Sequence, residues 1–296
     1  MPDTTTGGAA DLVARFVEQL DVRPAGGDRF VGAAEQESHH PRVFGGLVLG
    51  QAAIAAGRTA PDPTLHSLHA YFLRGGRAGV PIDYAVERVR DGRTFTSRRV
   101  LASQQGEPIC DITASYVHAE DGIAHQEPMP GVPDPETLRD AREQYPMEDG
   151  SLWPIGPMEL RAWESFDKVA GPRESTTVGV WMRMRAPLPD DPDIHAAALV
   201  FISDDGSLSG VERRYGWDGF SGKASASLDH AIWIHRPTRW DGWILMLTDT
   251  PVAHAARALT HRRFYTRDGT HVATMAQEAV VRRDRGSSAG SQGSAL

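Results

Sequence analysis

Apolar and polar residues alternate along much of the chain, a pattern typical of strands with one buried face. The clearest alternating segments are PIDYAVERV, TFTSRRVLAS and PICDITASYV in the first half, and TVGVWMRMRA, WILMLTDTPV, ARALTHRRFYT and HVATMAQEAVV in the second. Asp91-Gly92 and Asp268-Gly269 are typical of tight hairpin turns. The pattern therefore predicts two groups of antiparallel strands.

One apolar segment with a helical pattern accompanies each group of strands. These segments are residues 43–59, VFGGLVLGQAAIAAGRT, and residues 193–206, DIHAAALVFISDDG. The first is rich in glycine, a poor helix former, and in alanine, so it indicates close backbone approach and a helix wrapped by a sheet. Each half is predicted to be an α+β unit.

The two halves also resemble each other at a nearly constant spacing. Arg99 and Gly106 match Arg262 and Gly269 at a separation of 163 residues, and Arg74 matches Arg236 at 162. A constant offset of this kind indicates duplication.

Closely spaced prolines separate the halves. Prolines interrupt helices and sheet ladders, so this region is interpreted as a linker with a short helix around residues 136–144. The terminal segments are rich in small polar residues and are expected to be disordered. The predicted organisation is a tail at 1–10, a first unit at 11–118, the linker at 119–172, a second unit at 173–284 and a tail at 285–296.

Composition limits the possible partners. Hydrophobic residues make up 40% and charged residues 24% of the chain, and the formal net charge is -8. This balance is typical of a globular protein and argues against binding to nucleic acid or to an anionic membrane. The single cysteine, Cys110, excludes an intramolecular disulfide and cannot make a zinc site alone.

Without a signal-peptide or membrane-helix pattern, a cytoplasmic location is expected. No metal, P-loop or dinucleotide motif appears, so no cofactor is expected.

Five ordered blocks carry a resemblance to a known family. RVFGGLVLGQA, LHSLHAYFLRGG, VRDGRTFTSRRV, LDHAIWIHRP and VATMAQEAVVR resemble the type II acyl-CoA thioesterases in order and spacing, from about residue 11 to 283. The resemblance implies a double hot-dog fold, in which two tandem units each wrap an antiparallel sheet around a long helix and share one continuous sheet. It further implies an acyl-CoA substrate and a homo-oligomer, either a dimer or a tetramer.

The resemblance also implies a site at which a water molecule hydrolyses the thioester without a covalent acyl-enzyme. Its residues are Asp204 in FISDDG, Ser227 in SASLDH and Gln277 in TMAQEA. The acid would accept a proton from the water, and Ser227 and Gln277 would fix the water's lone pairs. Many family members have threonine in place of Ser227, and the neighbouring Asp205 leaves the identity of the acid open.

The repeat predicts one such site per chain. At the repeat offset Gln277 corresponds to Ala114 and Ser227 to Leu65, and alignment of the two helices places Asp204 opposite Ile54. All three counterparts are apolar. The second half also carries an insertion, GVERRYGWDGF, which is predicted to shape a channel for the acyl or pantetheine group beside Asp204.

Other conspicuous residues receive simpler interpretations. Asp229 is interpreted as a strand-start acid, His230 as a histidine bonded to neighbouring backbone, and Cys110 as a small core residue. Seven arginines could contact the phosphates of coenzyme A, although most are expected to be solvated. They are Arg74, Arg77, Arg93, Arg98, Arg99, Arg236 and Arg239.

Two other functions remain open. One is a hot-dog enoyl-CoA hydratase, because Asp190 precedes His195 by five residues as in the hydratase motif, although the accompanying glycine and asparagine are missing. The other is an acyl-CoA-binding sensor without turnover, against which the intact Asp, Ser and Gln set argues only by analogy.

Overall fold

The strands of both halves form one antiparallel sheet. The computed structural model describes residues 8–34, 42–60, 62–144, 156–163, 173–215 and 225–282. Across these residues the sheet has 13 strands.

The first half contains two helices and six strands. They are α1 (Ala9–Leu20), β1 (Val22–Pro24), β2 (Arg29–Gly32), α2 (Gly45–Gly57), β3 (Thr64–Phe72), β4 (Ile82–Asp91), β5 (Phe95–Gln104) and β6 (Glu107–Val117).

The remainder contains a 3-10 turn, three helices and seven strands. They are the turn Pro135–Thr137, α3 (Ala141–Gln144), β7 (Met158–Trp163), β8 (Val178–Met184), α4 (Pro192–Ser203), α5 (Ser209–Tyr215), β9 (Ser225–Ser227), β10 (Asp229–Ile234), β11 (Ile244–His254), β12 (Arg257–Thr266) and β13 (His271–Val281).

The two half-sheets join in the middle. The strand order is β1-β2-β4-β5-β6-β3-β10-β13-β12-β11-β8-β7, and β9 pairs with β13. At the junction β3 and β10 are antiparallel, with Leu68 opposite Ile232 and Ala70 opposite His230. The expected α+β arrangement, two tandem units sharing one continuous sheet, is confirmed.

Buried glycines let the two central helices pack closely. Helix α2 is buried from Gly46 to Gly57 and lies against α4. A Cβ atom at Gly46 would lie only 2.2 Å from the carbonyl oxygen of Phe201 in α4, and one at Gly50 would lie 2.8 Å from Leu20 Cδ2 of α1 and 3.3 Å from the carbonyl oxygen of Ala197 in α4. The first two distances are too short for a side chain, so the close approach indicated by the glycine-rich pattern is confirmed.

The repeat is visible in the turns but needs one correction. Gly106 and Gly269 both adopt a positive φ, 82° and 88°, between equivalent strand pairs. Arg99, however, lies on the outer face and pairs with Asp111, whereas Arg262 is fully buried. A shift of one residue places a side chain on the opposite face of a strand, so matching Arg99 to Arg262 was wrong.

The region interpreted as a linker contributes to the second half. Residues 158–163 form β7, an edge strand paired with β8, which the proline pattern did not predict. Trp181 Nε1 donates to the carbonyl of Pro133 at 2.9 Å, and Met129, Val132 and Leu138 pack on a small outer cluster around Trp181. Prolines stop ladders locally, but the residues between them remain free to pair.

The predicted tails are only partly visible. Helix α1 begins at Ala9, so residues 9 and 10, assigned to a disordered tail, are helical. Its buried side chains, Val13, Phe16 and Leu20, join the central core. The segments 1–7 and 285–296 lie outside the described residues. Within the described ranges, no helix has the length and apolar character needed to cross a bilayer.

Candidate active site

A cavity of about 730 Å³ opens where the beginning of α2 meets the end of α4. Its wall is formed by the start of α2, the end of β3, the turn after α4, and β9. Apolar side chains from these elements, among them Phe44, Val48, Phe72 and Leu228, line much of it. Asp204 and Ser227 also line the cavity.

Asp204 follows directly after α4 and caps its end. It is 6% exposed, and its Oδ1 accepts a hydrogen bond from Gln277 Nε2 at 2.9 Å. Its Oδ2 lies beside Gly45, at 2.6 Å from the position of a Cβ atom there. Asp205 lies on the exposed side of the same turn. Of the two acids, Asp204 is therefore the one whose side chain lines the cavity.

Gln277 connects the acid to the hydroxyl. Its amide lies on β13 and is 1% exposed. Besides the bond to Asp204, Nε2 donates to Ser227 Oγ at 2.7 Å. An amide has two hydrogens, and both have protein acceptors here. Gln277 is thus arranged to hold Asp204 and Ser227, in addition to the contact with water that the family resemblance implies.

Ser227 presents its hydroxyl to the cavity. It is the last residue of β9 and lies opposite Ala279 of β13. Since its oxygen accepts from Gln277, the hydroxyl hydrogen is still available for donation. A water between Ser227 and Asp204 Oδ2 could therefore receive one hydrogen bond and donate another.

His230 belongs to the same network, which the sequence interpretation missed. It is 1% exposed. Its Nδ1 lies 2.5 Å from Gln277 Oε1 and its Nε2 lies 3.0 Å from Ser203 Oγ, so its partners are side chains rather than neighbouring backbone. Its burial could have been predicted from the sequence, because His230 lies two residues before Ile232 in β10 and so shares the buried face of the strand. Asp229, by contrast, accepts from the backbone of Glu278 at 2.7 Å, so its structural interpretation is confirmed.

Burial governs the charge of His230. Removal from water lowers the pKa of its imidazole, and this outweighs the opposing effects of nearby Asp204 and of the bond to Gln277. The ring is therefore neutral at neutral pH, with its Nδ1 hydrogen directed at Gln277.

A buried arginine lies behind the acid. Arg262 is 0% exposed, and its Nη1 donates to the carbonyl of Ser203 at 2.8 Å. Burial lowers the pKa of Arg262 to about 10, against the opposing influence of Asp205 and Asp204. It remains charged at neutral pH and places a cation at the carbonyl end of α4, where a positive charge is favourable.

Where the structure describes it, the first half lacks this set of side chains. Ile54, Leu65 and Ala114 are 7%, 8% and 0% exposed and belong to the central core. The ladders also correct two further matches made at the repeat offset. The buried Arg98 and Arg262 lie opposite Ala114 and Met275, so Gln277 corresponds to Tyr116 and not to Ala114. Leu65 lies opposite Tyr116, so it corresponds to His230 and not to Ser227. Among the described residues, the arrangement of acid, hydroxyl and amide therefore occurs at one end of the helix pair.

Most of the candidate arginines lie away from this cavity. Of the seven, Arg74 lines it, and Arg42, which was not among them, does so as well. Arg98 is buried and donates to Thr59 Oγ1, and Arg236 and Arg239 line a separate cavity of about 610 Å³. Cys110 borders the site cavity but is 1% exposed. Burial raises the pKa of its thiol, as expected for a core residue.

The pair expected of a hydratase is not formed by Asp190 and His195. Asp190 is exposed and bound by Arg239 Nη1 at 2.6 Å. His195 is 2% exposed, and its Nδ1 accepts from the backbone of Trp240 at 3.1 Å. Neither residue lines the cavity that contains Asp204. In the described parts of the chain, no group of three or more His, Cys, Asp or Glu side chains is placed to hold a metal ion.

Comparison with known proteins identifies the class and then the family. Two family models match: the acyl-CoA thioesterase N-terminal domain over residues 34–117 and the acyl-CoA thioesterase C-terminal domain over residues 132–281. A hot-dog protein of unknown function from Alicyclobacillus acidocaldarius superposes with a TM-score of 0.74 at 18% identity, over 90% of this chain and 98% of that one. The molecule is thus a double hot-dog protein.

Closer relatives define the family. Acyl-coenzyme A thioesterase 8 of Mus musculus is 34% identical over 89% of this chain and 87% of its own. The crystal structure of an acyl-CoA thioesterase II from Mycobacterium marinum has a TM-score of 0.76 at 36% identity, over 91% of this chain and 98% of that chain. The chain belongs to the type II acyl-CoA thioesterase family.

The tautomer of His230 is directly testable. Because Gln277 directs its oxygen at Nδ1, we expect a neutral ring with hydrogen on Nδ1 and none on Nε2. Proton-nitrogen correlation spectra of protein labelled with 15N-histidine distinguish the two forms at neutral pH. A hydrogen found on Nε2 alone would mean that the Gln277 amide points the other way.

Proposed function

We propose that this enzyme hydrolyses fatty acyl-CoA to a free fatty acid and coenzyme A. The observation that carries the proposal is the joint contact of Gln277 with Asp204 and Ser227 at the wall of a largely apolar cavity. Membership of the thioesterase family supports it. The cytoplasmic location and the unit boundaries remain predictions from the sequence.

The attacking group in this proposal is water. A water held by the Ser227 hydroxyl donates one hydrogen to Asp204 Oδ2 as its oxygen attacks the thioester carbonyl. Collapse of the tetrahedral intermediate breaks the carbon-sulfur bond. The proton held by Asp204 then passes to the departing thiolate, so one water yields one acid and one thiol. A thioester is already reactive, and general-base assistance suffices.

The beginning of α2 supplies the stabilising dipole. Gly45 starts the helix, lies beside Asp204 Oδ2 and lines the cavity. The first amides of a helix have no partner within it and carry partial positive charge. We propose that such an amide donates to the oxyanion formed at the thioester carbonyl.

Ser227 is better placed to hold water than to attack. A serine nucleophile needs a base to accept its hydrogen, but the group bonded to its oxygen is the amide of Gln277, which donates. A hydroxyl oxygen that accepts a hydrogen bond is a weaker nucleophile. This arrangement supports hydrolysis without a covalent acyl-enzyme.

The cavity suits both parts of the substrate. Phe44, Phe72 and Leu228 offer apolar surface to an acyl chain, and Arg42 and Arg74 provide positive charge for the phosphates of coenzyme A. In the insertion predicted to shape a channel, Glu212 of α5 lines the cavity. Residues 216–220 of that insertion lie outside the described residues.

A panel of straight-chain acyl-CoAs, from short to long, tests the activity. We expect release of free thiol together with the acid, and intact-mass spectra during turnover without an added acyl group. Tight binding without thiol release at any chain length would instead identify a sensor. Loss of the enoyl absorbance of a crotonyl thioester without thiol release would identify a hydratase.

Substitution of the site residues tests the mechanism within the same assay. Asp204→Asn, Ser227→Ala and Gln277→Ala should each lower kcat by at least about tenfold, because each removes a group that activates or positions the water. Asp205→Asn is the matched control and should retain activity. An Asp204→Asn enzyme with full activity would contradict the assignment of the base.

The glycine beside the acid offers a steric test. In Gly45→Ala the new Cβ would lie 2.6 Å from Asp204 Oδ2 and 3.0 Å from the Phe72 ring, so the carboxylate must move. We expect kcat to fall by at least about tenfold, since small displacements of reacting groups are costly. Gly57→Ala, at the other end of α2, meets the Asp193 carboxylate at 3.1 Å and is the matched control. Equal activity losses in both variants would contradict the special role of Gly45.

We also propose that the protein is a homo-oligomer. The linker packs on the outer face of the second half-sheet, whereas the outer face at the junction of β3 and β10 presents Tyr71 and Trp233, which are 67% and 38% exposed. Large exposed aromatic side chains are typical of interfaces.

Light scattering tests the oligomeric state. We expect the mass of two or four chains for the unsubstituted protein and a lower mass for Tyr71→Glu. A monomer at micromolar concentration would contradict the proposal.

A further inference from the structure

We infer that His230 is a positioning residue for hydrolysis, acting through Gln277 by fixing the orientation of its amide. This inference rests on the proposed role of Asp204, Ser227 and Gln277. It adds a residue that itself contacts neither the water nor the substrate.

Hydrogen-bond accounting supports this role. Gln277 Nε2 has two acceptors, Asp204 Oδ1 at 2.9 Å and Ser227 Oγ at 2.7 Å. The amide oxygen therefore points the other way, toward His230 Nδ1 at 2.5 Å. An amide oxygen only accepts, so Nδ1 must carry the hydrogen. Both hydrogens and the oxygen of the Gln277 amide then have a partner, and only one orientation of the amide allows this.

Ser203 fixes the other side of the ring. A neutral imidazole with hydrogen on Nδ1 has an acceptor at Nε2, and Ser203 Oγ lies 3.0 Å from it. The same hydroxyl lies 2.7 Å from the carbonyl of Val200. Its single hydrogen is shared between the Val200 carbonyl and the neutral ring, whereas a protonated ring would donate to Ser203 and leave that hydrogen to Val200 alone. Burial favours the neutral state.

The first half shows that the fold does not need a histidine at this position. The buried Arg98 lies opposite Ala114, and the buried Arg262 lies opposite Met275. Tyr116, two residues after Ala114, therefore corresponds to Gln277. Leu65 lies opposite Tyr116, as His230 lies next to the pair Ala231–Ala276 on the side of Gln277. Leu65 is 8% exposed and Tyr116 is 1% exposed. The strand therefore accepts a leucine where its neighbour is not a glutamine, and the histidine accompanies the glutamine.

Loss of the histidine would leave the amide oxygen without its donor inside the protein. A buried acceptor without a partner is unfavourable, and this favours rotation or displacement of the Gln277 side chain toward another donor. Either movement shifts Asp204 and Ser227, because both are held by the same amide nitrogen. The predicted defect is in the chemical step rather than in substrate binding.

Three substitutions of His230, measured by thiol release from the best acyl-CoA of the panel, test the inference. His230→Leu removes the donor. His230→Gln keeps a polar side chain but places its amide near the original position of Nε2, away from Gln277. His230→Asn places an amide N-H near the original position of Nδ1. We expect kcat to fall at least about tenfold in the Leu and Gln variants, with KM changed less than about threefold, and to return to within about threefold of the unsubstituted enzyme in the Asn variant.

A double-mutant cycle separates this role from general destabilisation. In a Gln277→Ala background, His230→Leu should change kcat by less than about twofold, because its effect passes through the missing amide. His66→Leu is the matched control: His66 Nε2 lies 2.8 Å from Ser115 Oγ, another histidine-hydroxyl pair, and its loss should leave kcat unchanged.

Each outcome decides the inference. Unchanged kcat in His230→Leu, equal impairment of the Gln and Asn variants, or effects of His230→Leu and Gln277→Ala that multiply would each overturn it. If His230→Leu does not fold, the comparison of His230→Gln with His230→Asn still decides. Gln277→Ala with full activity would overturn the proposed site itself, whereas a defective Gln277→Ala beside an active His230→Leu would overturn only the positioning role.

Discussion

The site depends on one amide group that holds a buried carboxylate in place. Asp204 is largely removed from water, a location that is costly for an anion unless hydrogen bonds and nearby charge compensate. Gln277 supplies the hydrogen bond at Oδ1, and Arg262 supplies a buried positive charge nearby. Oδ2 remains beside the beginning of α2, facing the cavity. The carboxylate thus has one oxygen bonded to Gln277 and, in the proposed mechanism, the other accepts the proton from water.

Duplication explains how one chain came to have this arrangement at one end of its helix pair. Both halves use the same sheet ladder, and in the first half the positions corresponding to His230 and Gln277 are filled by Leu65 and Tyr116. There the leucine packs in the core and the Tyr116 hydroxyl donates to the carbonyl of Ala53, whereas the polar side chains of the second half must satisfy each other. The second half replaces packing by a closed hydrogen-bond network, which is stable only when every member has its partner.

Local patterns in the sequence predicted much of the fold. Alternation identified the long strands, the glycine-rich segment identified the closely packed α2, and Gly106 and Gly269 marked equivalent turns. Strand β7 was missed because prolines flank it and its pairing with β8 is non-local. The match of Arg99 to Arg262 failed because an offset accurate to one residue does not determine which face of a strand a side chain occupies.

The grouping of the three candidate residues could be predicted, but the hydrogen bonds between them could not. Asp204, Ser227 and Gln277 came from family resemblance, and their contacts depend on three elements far apart in sequence. His230 was interpreted as a residue bonded to backbone, since its sequence neighbours do not reveal that Gln277 lies across the ladder. Direct contact of Gln277 with water was implied by the family resemblance, whereas in the structure both of its amide hydrogens have protein acceptors.

The most direct test is the turnover number of Gln277→Glu. This substitution keeps the shape of the side chain, removes both N-H donors and places a second carboxyl group against Asp204. If the amide organises the acid and the hydroxyl, kcat should fall by at least about a hundredfold while the thermal unfolding transition remains cooperative. A Gln277→Glu enzyme with kcat within about twofold of the unsubstituted protein would contradict this account of the site.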